Sequence, residues 1–63
     1  MENLKILTHN AYGTSDNGTP FRVVAIAGKW RICRQGRTPG NWDFVNATEY
    51  PSMTAALQDV DLY

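Results

Sequence analysis

The sequence predicts an α+β domain in which a small antiparallel β-meander of three to four strands packs against one C-terminal helix. Two observations lead to this prediction. Apolar, β-branched segments separated by turn residues occupy positions 21–46, and apolar residues recur at helical spacing after Ser52. The chain has 63 residues, so we expect a single domain, 1–63, with a small core.

The first third of the chain contains one weak strand signal. Residues alternate in character along Leu4–His9, which predicts a short strand. Residues 10–20 are rich in Asn, Gly, Ser and Thr, so we expect a mobile loop there. Within this loop, Asn17–Gly18 suits a tight turn because both residue types tolerate positive φ.

The central segment predicts a β-hairpin. Phe21–Ala27 and Trp30–Gln35 are its strands, since both are rich in β-branched and aromatic residues. Gly28–Lys29 between them suits a two-residue turn of type II′. This turn would place Ala25 opposite Ile32 on one face of the hairpin.

The last third predicts one more strand and then a helix. A turn-rich connector, 36–41, leads to an alternating strand at 42–46. We expect the helix over 52–60, with Ser52 as its N-cap because a serine hydroxyl can accept a first-turn amide. The helix carries a single apolar stripe that must pack on the sheet, formed by Met53, Ala56, Leu57 and Val60.

Several classes of protein are excluded by what the chain lacks. His9 and Cys33 are the only histidine and the only cysteine, which rules out an internal disulfide and a thiolate zinc site. We interpret His9 as a strand-end side chain and Cys33 as a packing residue. With no phosphate-binding loop and no metal motif, we expect no enzymatic activity, no cofactor and no bound metal. We expect a cytoplasmic protein, since there is no membrane-length apolar run and no signal peptide.

The charges are unevenly distributed along a chain whose net charge is zero. Residues 21–40 carry five bases and no acid, whereas residues 41–63 carry four acids and no base. Zero net charge argues against wholesale phosphate binding. Whether the fold pairs these charges or keeps them apart is open at the level of sequence.

The basic and aromatic stretch 28–42, together with the preceding strand, is the candidate contact surface. Arginine and tryptophan are favoured both at protein interfaces and in nucleic-acid contacts. The candidate contact residues are Arg22, Lys29, Trp30, Arg31, Arg34, Arg37 and Trp42. Three interpretations stay open: a surface for a protein partner, a DNA or RNA surface, and an ordinary solvated sheet face. A homodimer is a further option for so small a core.

The stretch from Phe21 to Asp61 resembles the plant AP2-type DNA-binding domain and the three-stranded DNA-binding domains of some phage integrases. The matching residues are Gly28–Trp30, Trp42 and Ala55–Leu57. The resemblance implies that a three-stranded sheet enters the DNA major groove while the helix supports it from behind. It also implies sheet contacts from Arg22, Trp30, Arg31, Arg34 and Trp42. The chain departs from those families in its first sheet strand, which has a single arginine.

The segment Tyr50–Leu57 is similar to a pattern in small uncharacterised phage and prophage proteins, in which a meander ends in an aromatic residue, a serine cap and an Ala-Leu helix. This resemblance implies an accessory protein of a mobile element that acts by binding a host protein. From the residues and this resemblance, we expect a non-enzymatic small binding module that contacts a protein partner. Nucleic-acid binding by the sheet is the alternative, and an orphan domain with inert surface arginines is the third interpretation.

Overall fold

The computed structural model describes residues 1–38 and 40–63, and it shows a five-stranded antiparallel sheet followed by one short helix. The strands lie in the sheet in chain order, so the sheet is a simple meander. The α+β class, the meander and the C-terminal helix are therefore confirmed, with five strands instead of three to four. The elements are β1 (Glu2–Ile6), β2 (Asn10–Thr14), β3 (Pro20–Ile26), β4 (Lys29–Gln35), β5 (Trp42–Phe44), α1 (Met53–Asp59) and a terminal 3-10 turn (Val60–Leu62).

The additional strand is β2, which occupies the first half of the segment predicted as a loop over 10–20. Asn10, Ala11 and Gly13 have weak strand propensity, but all five residues pair with β3, and Ala11 is fully buried opposite Val23. Tertiary pairing overrides local composition here. The predicted turn at Asn17–Gly18 connects β2 to β3, although only Gly18 has positive φ, at 86°. Its amide donates to the Ser15 carbonyl over 2.9 Å.

The β3–β4 hairpin forms as predicted, but its turn and register differ from the prediction. Ala27 and Gly28 are the two turn residues, with φ of 51° and 79°, which is the pattern of a type I′ turn. Val23 therefore lies opposite Ile32, and the predicted pairing of Ile32 with Ala25 is wrong. The observed register brings together two side chains that are 0% and 1% exposed. Because the shift is two residues, every side chain stays on its predicted face.

The helix packs on one face of the sheet, over β3 and β4. Ser52 is the N-cap, as predicted, and its hydroxyl accepts a hydrogen bond from the Ala55 amide over 3.1 Å. Ala56 and Val60 from the predicted stripe are buried, whereas Met53 and Leu57 are half-buried at its border. The buried core consists of Ala11, Phe21, Val23, Ile32, Tyr50, Ala56 and Val60.

The segment after β5 returns to the sheet and closes one end of the core. The backbones of Trp30 and Tyr50 exchange two hydrogen bonds, of 2.9 and 2.7 Å. The Tyr50 hydroxyl donates to Asp59 on the helix over 2.9 Å, and burial raises the pKa of this phenol. Tyr50 thus ties β4 to α1 from within the core.

Both edges of the sheet are poor templates for adding a further strand. In β1 the register shifts between Glu2 and Lys5, and Asn3 has a φ of 54°, which marks a β-bulge. Gly13 on β2 permits this bulge, since a Cβ there would lie 2.7 Å from the Glu2 carbonyl oxygen. At the opposite edge β5 is only three residues long. Bulges and short edge strands both discourage edge-to-edge pairing.

Candidate functional site

The sheet face opposite the helix is the candidate binding surface, and we call it the open face. Paired residues in an antiparallel sheet share a face, and residues alternate between faces along each strand. One cross-strand row on this face joins all four strands from β2 to β5. The centre of the open face is formed by Tyr12, Arg22, Arg31, Cys33, Trp42 and Phe44.

The structure divides the sequence-predicted contact residues between two faces and a connector. Arg22, Lys29, Arg31 and Trp42 lie on the open face. Trp30 lies on the helix side, where it packs against the core, and Arg34 is exposed on that same side. Arg37 belongs to the β4–β5 connector, in which Pro39 is outside the described residues. The five positions implied by the DNA-binding resemblance therefore do not share one face.

Arg22 is held between two aromatic rings. Its guanidinium carbon lies 5.1 Å from the Tyr12 ring centre and 5.2 Å from the Trp42 ring centre. Both distances are within the range of a cation–π contact. The Arg22 Nε atom is buried, and it has no hydrogen-bond partner among residues 1–38 and 40–63. The rings therefore position the guanidinium group while leaving its hydrogen-bond donors unused.

Arg31 is held in a similar way by one ring and one carbonyl group. Its guanidinium carbon lies 3.7 Å from the Phe44 ring centre. One terminal nitrogen donates to the Asn46 carbonyl oxygen over 2.8 Å. The buried Nε atom again has no partner in the described part of the chain. A guanidinium group fixed by stacking loses little further conformational entropy when it binds a ligand.

Basic residues dominate the open face. Lys5 pairs with Tyr12, and Lys29 pairs with Ile26, so both lysines project on the same side as Arg22 and Arg31. Among the residues of strands β1–β5, this face carries one carboxylate, Glu2, at the far corner of β1 opposite Thr14. The other acid on the strands, Asp43, lies on the helix side, so the fold gathers four bases and one strand acid on the open face.

Three other carboxylates, those of Asp16, Asp43 and Asp61, have contacts elsewhere in the fold. Asp43 is paired with Arg34, on the helix side of β4 and β5. Asp16 and Asp61 form ion pairs with the terminal amine of Met1, and this contact lowers the pKa of Asp16 and raises that of the amine. Among the residues that the structure describes, these are the only ion pairs. Within residues 1–38 and 40–63, no arginine or lysine on the open face forms an ion pair with a carboxylate.

Cys33 and His9 do not form part of a reactive arrangement. Cys33 is buried, and burial raises the pKa of its thiol more than the nearby guanidinium groups of Arg31 and Arg22 lower it. A thiol in that state is a poor nucleophile. His9 is exposed in the β1–β2 turn, where its carbonyl accepts from Ala25 over 3.0 Å. The described residues contain no cluster of three metal-ligating side chains.

A depression lies at the β4–β5 end of the sheet. It is open, has a volume of about 330 Å³, and is lined by Thr19, Arg34, Gln35, Gly36, Arg37 and Asp43. One acid and two arginines line it, so the charges in the depression are mixed. The open face, in contrast, presents an excess of one sign.

Sequence reasoning missed two aromatic residues of the open face. Tyr12 was overlooked because it lies in the segment predicted as a loop, which pairing with β3 converts into a strand. Phe44 carried a usable signal, since it is two residues from Trp42 in an alternating strand and must share its face. Trp42 and Phe44 are 38% and 48% exposed, which makes them available for contact.

Comparisons with known protein families, with curated proteins and with solved structures give no significant match. No helix in the described ranges is long and apolar enough to cross a membrane. The functional interpretation therefore depends on the open face itself. Its two stacked arginines and its exposed rings form a surface suited to recognition of an anionic partner.

Proposed function

We propose that this protein is a non-enzymatic binding module that docks a protein partner on its open face. The observation that carries the proposal is the state of Arg22 and Arg31. Each guanidinium group lies over at least one aromatic ring, and neither forms an ion pair within the described residues. Arginine, tryptophan and tyrosine are the residue types that contribute most to protein interfaces.

The partner surface is acidic. Four bases and one carboxylate on its strands give the open face a local positive potential, although the chain is neutral as a whole. A complementary negative surface would pair with Arg22 and Arg31 without any carboxylate of this chain being displaced. Because stacking already orders both guanidinium groups, little entropy is lost on docking.

Single-stranded nucleic acid is the competing candidate, and the exposed rings of Trp42 and Phe44 favour it because bases stack on such rings. The net charge of zero disfavours it, because binding to nucleic acid depends on an excess of bases that neutralise phosphates.

The test compares charge reversals on the two faces. Arg31→Glu changes the open face, and Arg34→Glu is the matched control because it lies on the same strand but on the opposite side. Poly-glutamate represents an acidic polypeptide, and oligothymidylate represents single-stranded nucleic acid. We expect poly-glutamate to bind the native protein and the control variant, and Arg31→Glu to abolish this binding.

Three outcomes would contradict the proposal. An equal loss of poly-glutamate affinity in Arg31→Glu and Arg34→Glu would mean that only the total charge of the protein matters. Tighter binding of oligothymidylate than of poly-glutamate would favour the nucleic-acid candidate. No binding of either probe at low salt would leave the open face without an anionic partner. Circular dichroism of each variant shows whether the fold survives the substitution.

A further inference from the structure

The open face has a second property that narrows the chemistry of its partner. We infer that the segment it recognises is an extended peptide with two carboxylates at alternate positions, i and i+2, one held by Arg22 and the other by Arg31. This inference rests on the proposed function, because it names the partner of the same surface.

The register positions of the two arginines, and of the rings they stack on, carry the inference. Arg22 stacks on Trp42 and Arg31 stacks on Phe44. These two rings are alternate residues of β5, so their backbone positions are separated by two strand rises, about 6.8 Å. The two arginines are also diagonal neighbours across β3 and β4, since Arg22 faces Cys33 and Arg31 precedes it by two residues. Diagonal positions are about 7–8 Å apart.

An extended peptide matches this spacing at only one separation of its carboxylates. Side chains at i and i+2 project on the same side and lie about 6.6–6.8 Å apart. Carboxylates at i and i+1, or at i and i+3, project on opposite sides, so only one of the two can reach the face. A helical segment fits less well, because its same-face neighbours at i+3 and i+4 lie about 5–6 Å apart, closer than this spacing.

The hydrogen-bonding capacity of the arginines suits carboxylates. A stacked guanidinium group keeps its edge free, and that edge donates two parallel hydrogen bonds to a carboxylate. Arg22 makes no hydrogen bond within the described ranges, and Arg31 makes one, to the carbonyl of Asn46. Because both Nε atoms are buried, the terminal nitrogens are the donors that remain for an incoming acid.

The experiment uses a series of threonine-rich nonapeptides, which favour the extended state, with two glutamates one, two or three positions apart. Binding is followed by tryptophan fluorescence, to which Trp42 on the open face responds. We expect the i, i+2 peptide to bind about tenfold more tightly than the other two, since each of those loses one charge-assisted contact. A matched peptide with Gln at both positions should not bind.

Two variants link the preference to the proposed residues. Arg22→Gln and Arg31→Gln should each remove the difference in affinity among the three acidic peptides. Arg34→Gln, on the helix side, should preserve that difference. The peptide series on the native protein is independent of whether a variant folds.

The contradicting outcomes separate the two levels of the proposal. If all three acidic peptides bind the native protein equally and none binds Arg31→Gln, the inferred i, i+2 spacing is wrong. The open face would then still be a binding surface for acidic partners. A preference for i, i+2 that survives both arginine substitutions would also overturn the inference. Binding of oligothymidylate but of no acidic peptide would overturn the inference and the proposed function together.

Discussion

The turn between β3 and β4 contains a strained residue whose replacement tests the hairpin register. Ala27 has a φ of 51°, in the left-handed region that a Cβ atom disfavours. Asparagine tolerates this region, and Asn-Gly is a preferred sequence for a type I′ turn. Ala27→Asn should therefore stabilise the protein without touching the core.

The size of the effect follows from two opposing contributions. A left-handed conformation costs an L-residue such as alanine about 1–2 kcal/mol, and asparagine recovers much of that cost. Ala27→Gly removes the same strain, but the greater freedom of glycine in the unfolded chain offsets about 0.4–1 kcal/mol of the gain. We expect about 1 kcal/mol from Ala27→Asn, which raises the Tm of a domain of this size by about 4–8 °C. Ala27→Gly should give a smaller increase.

Thermal unfolding followed by circular dichroism measures both variants. Ala47→Asn is the control, because Ala47 is exposed in a loop and does not have positive φ. It should leave the stability within about 0.5 kcal/mol of the native value. In the register predicted from the sequence, Ala27 is instead a strand residue, where asparagine is unfavourable. A decrease in Tm for Ala27→Asn would therefore refute the observed turn.

Two further predictions concern the sheet. Gly13→Ala should destabilise the protein by about 1–3 kcal/mol in urea titrations, because its Cβ would lie 2.7 Å from a backbone oxygen of Glu2. Gly36→Ala should lower the free energy of unfolding by less, since the atom nearest to its added Cβ belongs to a side chain that can move. Equal losses in the two variants would contradict the close approach of Gly13 to the β1 bulge. Iodoacetamide should alkylate Cys33 more slowly in the folded protein than in urea, because burial raises the pKa of the thiol. Equal alkylation rates in the folded and the urea-unfolded protein would contradict the burial of Cys33. The raised pKa should also lower the free energy of unfolding as the pH rises above about 8.5, because the thiol then ionises first in the unfolded chain.

The elements that local chemistry defines strongly could be predicted from the sequence. The β-branched run before Ala27 and the N-cap at Ser52 appear in the structure as predicted. β2 could not be predicted, because its small and polar residues become a strand only through pairing with β3. The turn was predicted one residue too late, because Gly28 suits both a type I′ and a type II′ turn. The burial of Val23 against Ile32 selects the observed type I′ turn.

For the candidate site, the sequence by itself determined which residues share a face. Alternation along a strand places Arg22 and Arg31 together and Trp30 on the other side, and a register error of two residues does not change that. Only the tertiary structure decided that Tyr12 and Phe44 would meet these arginines, and that Asp16 and Asp61 would pair with the terminal amine instead. The physical reason is that face membership depends on local backbone geometry, whereas stacking and charge separation depend on strands that are distant in sequence becoming neighbours in the sheet.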